Sequence, residues 1–71
     1  MEHHQLAQRL RAFRKLKGHT QQGLAERLNI SVAVLGSLER GTRKPEAKLL
    51  EKIAQSLEVS YEELTGEQKS E

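Results

Sequence analysis

Residues 20–41 read TQQGLAERLNISVAVLGSLERG, the pattern of two short helices joined by a tight turn. Thr20 is a hydroxyl residue placed to cap a helix running from Gln21 to Leu28, in which Leu24, Ala25 and Leu28 form one narrow apolar stripe. Asn29 follows, and asparagine enters the left-handed conformation at modest cost, so it ends one helix and turns the chain sharply. Ser31 caps a second helix at once, with Leu35 and Leu38 as its inward stripe and Gly41 where a left-handed C-terminal cap belongs.

Working outward, Leu6, Leu10 and Phe13 recur at i, i+4 and i+7, which predicts a first helix from His3 or His4 to Lys17, stopped by Gly18. Arg9, Arg11, Lys15 and Lys17 decorate its other faces. After Gly41 comes a loop of exposed cations, Thr42-Arg43-Lys44-Pro45. Pro45 suits the start of a fourth helix, where its missing N–H costs nothing, and Glu46 beside it suits the positive helix end. Leu49, Leu50, Ile53, Ala54 and Leu57 supply that helix with an apolar stripe. Ser60 and Glu63 have the spacing of a capping box, predicting a short fifth helix from Tyr61 to Thr65 that Gly66 ends. Five helices and no strand signal give an all-α domain over residues 1–66, with a frayed polar tail at 67–71.

A chain of 71 residues buries only about 60 per cent of the surface its unfolded form exposes, so a small core and no deep catalytic cleft are expected. That favours a binding module. The sequence has no cysteine, which excludes disulfide staples, zinc fingers and thiol chemistry. No apolar run approaches the roughly 18 residues of a membrane span, and the N-terminus lacks the apolar core of a signal peptide, so a soluble, cytoplasmic protein is expected. His3, His4 and His19 complete no ligand set, and a metal site is not expected, although His3 as third residue has the position of a square-planar Cu(II) or Ni(II) ligand. No nucleophile with a base, paired acids or phosphate loop is recognisable, so the chain does not read as an enzyme.

Charge is unevenly spread. Residues 1–44 carry nine Lys or Arg against three Glu, a net +6, whereas residues 45–71 carry three Lys against seven Glu, a net −4. A polyanion is attracted to the first part and repelled by the second. The basic part contains the two helices of residues 20–41.

The ordered set Arg14, Lys17-Gly18, Thr20-Gln21, Leu24-Ala25, Leu28, Ile30-Ser31, Leu35, Leu38-Glu39-Arg40-Gly41, Arg43, Pro45, Ile53-Ala54 and Val59-Ser60 resembles the lambda-repressor-like, XRE-type helix-turn-helix family of bacterial and phage regulators. The resemblance covers the chain from about Leu6 to Leu64. It implies a compact five-helix DNA-binding domain whose third helix enters the major groove, acting as a homodimer on double-stranded DNA without a cofactor. It further implies phosphate contacts from Gln21, Arg14, Arg40, Arg43 and Lys44, and an internal ion pair between Arg14 and Glu39.

Ser31, Val32, Ala33, Gly36 and Ser37 stand at the base-reading positions, and none is the Arg, Lys, Asn or Gln that makes bidentate contacts to base edges. Val32 and Ala33 can pack on thymine methyls, and Ser37 can pair with almost any base. Such a helix reads sequence loosely or leans on DNA shape. Gly36, mid-helix, calls for a packing or contact reason. Two further departures stand out. Gly23 deprives the second helix of half a capping box, and Glu58 occupies a place where the family often has glycine, which predicts a different turn geometry there. Tyr61 and Leu64 either close the core or supply a dimer patch. The expected function is a sequence-selective transcriptional regulator, a repressor or controller protein. Its rival is an adaptor or antirepressor that turns the apolar tip of the third helix to a protein partner.

Overall fold

Short helices are marginal in water on their own, so their ends and their packing decide whether they form. The structure, a computed structural model, describes residues 4–66, and within them the chain forms α1 (His4–Leu16), α2 (Gln21–Leu28), α3 (Val32–Arg40), α4 (Ala47–Leu57) and α5 (Tyr61–Thr65). Three of the N-termini are capped by hydroxyls. Thr20 Oγ1 accepts the Gly23 N–H at 2.9 Å, Ser31 Oγ accepts that of Val34 at 3.1 Å, and Ser60 Oγ accepts that of Glu63 at 2.9 Å. Glu63 returns the bond by accepting the Ser60 N–H at 2.9 Å, completing a capping box on a helix of only five residues.

The C-termini end in left-handed residues. Asn29 (φ 61°), Gly41 (φ 79°) and Glu58 (φ 59°) follow α2, α3 and α4, and in each case the next residue donates back to the last turn. Ile30 and Val59 reach Ala25 O and Ala54 O at 3.0 Å, and Thr42 reaches Ser37 O at 3.1 Å. These are Schellman closures, and the side chains of Ile30 and Val59 pack against the core as that motif prefers. Glu58 therefore takes the geometry a glycine would take, contrary to the different turn predicted from its side chain. Two boundaries also differ from expectation. α1 ends at Leu16 rather than Lys17, and Pro45 lies before the α4 N-cap, Glu46, instead of opening the helix. The His3 ligand position and the 67–71 tail lie outside the described residues.

All five helices contribute to one core. Leu10, Leu24, Leu28, Leu35, Ile53, Leu57 and Leu64 are its largest fully buried side chains, one or two from every helix. α1 packs on α3 and α5, α2 on α3 and α4, and α4 on α5. Arg9 crosses from α1 to donate to Glu63 O at 3.3 Å, a cation at the negative end of α5. Among the described residues no helix is long and apolar enough to cross a membrane.

One polar contact lies inside this apolar frame. Arg14 on α1 and Glu39 on α3 are both buried, at 9% and 8% exposure, and meet in a two-point ion pair: Nε to Oε2 at 2.6 Å and Nη2 to Oε1 at 3.1 Å. Arg14 Nη1 also donates to His19 O at 3.0 Å, tying the α1–α2 turn to the same centre. No buried side-chain nitrogen or oxygen among the described residues lacks a hydrogen-bond partner.

Removing one member of such a pair strands a buried charge. Arg14→Met is expected to lower the unfolding free energy by about 3–5 kcal/mol in urea titration, and Arg14→Met with Glu39→Leu to recover most of that loss. A single-variant loss below about 1 kcal/mol would place the pair in the class of surface bridges. Glu58→Gly relieves a left-handed non-glycine residue and is expected to add about 0.5–1 kcal/mol, raising the thermal midpoint by roughly 3–6 °C.

Candidate nucleic-acid interface

α3 divides cleanly into two faces. Leu35 and Leu38 point into the core, while Ser31, Val32, Ala33 and Arg40 are exposed on the opposite side, Val32 at 41%. Ser37 is half-buried on the outer side, and its hydroxyl donates to Ala33 O at 3.1 Å. The outer surface is thus built from small side chains, with Arg40 as its long polar group. Arg43 and Lys44 stand exposed in the loop that follows, with Thr42 Oγ1 donating to Ser37 O at 3.2 Å at its base.

Gln21, the first residue of α2, sits beside this surface half-buried, its Nε2 donating to Glu39 Oε1 at 3.1 Å. Glu39 therefore holds Arg14 on one side and Gln21 on the other. A carboxylate accepts several hydrogen bonds, so one buried residue at the end of α3 fixes both the α1–α3 contact and the rotamer of a side chain at the start of α2.

The structure gives three of the expected site residues particular surroundings. Arg14 is buried with its guanidinium engaged by Glu39 and His19 O, which makes the expected ion pair and sets the residue in the frame beneath the surface. Gly36, placed among the base-reading positions, is buried: an added Cβ there would lie 3.2 Å from Arg40 Nη1 and 3.8 Å from Gln21 Nε2, so two side chains cover its backbone. Leu64 is fully buried within its own chain and offers nothing to a dimer patch, whereas Tyr61 keeps partial exposure while packing on the core.

One residue expected only as a surface cation of the first helix lies at this site. Arg11 lines an open cleft of about 350 Å³ together with Arg14, Gln21, Gly36, Glu39 and Arg40. Its spacing to Arg14, i and i+3 on one helix, carries the signal that both share a face. The cleft mouth is cationic, since Arg11 and Arg40 are exposed and Glu39, at its floor, is neutralised by Arg14. Among the described residues His4 is exposed on α1, His19 is half-buried in the α1–α2 turn, and no group of three potential ligands capable of holding a metal occurs.

Comparison with known proteins gives the same architecture a family. A helix-turn-helix family model matches residues 10–64. The chain is 51% identical over 61 residues to YazB of Bacillus subtilis (strain 168), an uncharacterized HTH-type transcriptional regulator, covering 86% of this chain and 88% of YazB. It is 35% identical over 63 residues to the HTH-type transcriptional regulator SinR of the same organism, which spans 87% of this chain but only 57% of SinR. Among solved structures, the restriction-modification controller protein C.AhdI from Aeromonas hydrophila superposes with a TM-score of 0.84 at 32% identity, covering 89% of this chain and 96% of that protein. The chain belongs to the XRE-type, lambda-repressor-like helix-turn-helix family.

Proposed function

We propose that this protein is a DNA-binding transcription regulator that inserts α3 into the major groove of double-stranded DNA and pairs as a homodimer on a short inverted repeat. One observation carries the reading: the solvent face of α3 carries short side chains apart from Arg40, and it is bordered by Gln21 and by the exposed cations Arg43 and Lys44. A groove-entering helix needs a slim face, and the backbone on either side needs cations and N–H donors. The relatives named as transcriptional regulators and the controller protein support the same assignment.

In this reading Gln21, Arg43 and Lys44 grip phosphates, and Ser31, Val32, Ala33 and Ser37 face base edges. Gln21 brings a second N–H of its amide to the phosphate while the first stays on Glu39. Tyr61 remains as a candidate at the pairing surface. The protein works in the cytoplasm, binds without a cofactor and performs no catalysis.

Selection of duplexes from a random library at near-physiological salt tests the whole proposal. An enriched inverted repeat with half-site centres about 10 base pairs apart is the expected result. A folded protein that enriches nothing and whose binding to any partner is insensitive to salt would support the adaptor reading instead. Arg43→Ala is expected to weaken binding to all duplexes alike and to reduce the log–log salt slope by about 0.9, the contribution of one phosphate contact, and an unchanged slope would strike Arg43 from the set. Val32→Gln is expected to change which sequences bind, read in the same selection.

A further inference from the structure

Gly36 has helical backbone dihedrals, so nothing in its conformation demands glycine, and glycine weakens a helix interior. What the position does require is space. The Arg40 guanidinium lies back along α3 over Gly36, with Nη1 3.2 Å from where a Cβ would sit and Nη2 donating to Ser37 Oγ at 3.4 Å. Helical side chains lean toward the N-terminus over residues i−3 and i−4, here Ser37 and Gly36. The side chain therefore lies back over Gly36 and Ser37, at the edge of the cleft that it lines with Arg11 and Gln21, and away from the Arg43–Lys44 loop. Ala33, Gly36, Ser37 and Arg40 follow at i, i+3, i+4 and i+7, one continuous line, and the first three are too short to make a bidentate contact.

We propose that Arg40, seated over Gly36, is the residue with which α3 reads sequence, donating two parallel N–H groups to O6 and N7 of a guanine in each half-site. The inference rests on α3 entering the major groove. It replaces the phosphate role that the family resemblance gave Arg40, and it gives Gly36 a purpose: the glycine is the seat that holds a long arginine against the reading face. A planar fork delivered at a fixed angle discriminates guanine, whereas a phosphate accepts any cation of suitable reach.

The test compares the wild-type chain with Arg40→Lys, Gly36→Ala and the double variant, each checked for helical content by circular dichroism. Binding is measured on the selected duplex and on duplexes with each guanine replaced. The wild type is expected to prefer one guanine per half-site by about tenfold or more, and Arg40→Lys to cut that preference to about twofold with the salt slope unchanged. Gly36→Ala keeps the helix, because alanine is the better helix former, and is expected to reduce the same preference by pushing the guanidinium off its seat, with little further effect once Arg40 is lysine. A guanine preference that survives Arg40→Lys overturns the inference, as do independent effects of Gly36→Ala and Arg40→Lys. Salt-dependent wild-type binding with no preferred guanine overturns it too, and leaves the proposed function standing as backbone and shape recognition. Absence of salt-dependent binding to every duplex overturns both.

Discussion

The arrangement of the three N-terminal helices depends on the buried carboxylate of Glu39. Taking an ion pair out of water costs several kcal/mol per charge, and that cost is offset only when the geometry is good and the remaining lone pairs and protons are satisfied. Here Arg14 meets both carboxylate oxygens, His19 O takes another guanidinium proton, and Gln21 adds a third donor to Glu39. The pair crosses from α1 to the last turn of α3, and the Gln21 bond crosses from α3 to the first turn of α2. A leucine core tolerates some sliding and rotation of helices, because apolar contact is non-directional. A satisfied carboxylate does not. The core holds the helices together, and Glu39 fixes how they are turned.

With that centre in place, the rest of the fold is an exercise in terminating short helices. Five to thirteen residues per helix is at or below the length that is stable alone, so each missed cap weighs on a domain whose whole stability is of order 4–10 kcal/mol. Hydroxyl caps before α2, α3 and α5 and left-handed residues after α2, α3 and α4 satisfy backbone groups that a small protein has little means of burying. Glu58 is the exception in chemistry and not in shape. It accepts a left-handed conformation because the closure needs one, and the Schellman bond from Val59 and the packing of that side chain offset the strain.

Those local features are what made the fold legible. Thr20, Asn29, Ser31, Gly41 and the Ser60–Glu63 pair each act within four residues of themselves, so their consequences can be read without knowing what lies across the core. The features that local sequence leaves open depend on tertiary direction. Leu64 sits on a short helix whose apolar side could face inward or outward, and only the packing of α5 on α1 and α4 decides that it is buried. Arg14 has the chemistry of a phosphate contact and the surroundings of a core residue. Pro45 suits either the first helical position or the residue ahead of the cap, since neither needs its N–H, and the chain uses the latter. Arg11 reads as one surface cation among several because its sequence neighbourhood is basic; its place beside Gln21 and Arg40 exists only once α1 lies against α3.

In the proposed role, the outer face of α3 reverses the usual relation between a recognition helix and its side chains. Where long polar residues line the face, each reaches its own base, and the backbone is held away from the groove floor by their bulk. Here Ala33, Gly36 and Ser37 keep the face low, and Arg40 lies folded along it at the C-terminal end. A low face permits close approach of the helix, and close approach brings the cations of the following loop nearer the backbone. Glycine in mid-helix costs about 1 kcal/mol relative to alanine, a considerable loss in nine residues. The Ser31 cap at one end of α3 and the Gly41 closure at the other contribute stabilisation of similar size, so the helix carries its weak point between two strong ends. That distribution lets the outer face of α3 stay low while the ends of the helix maintain its fold.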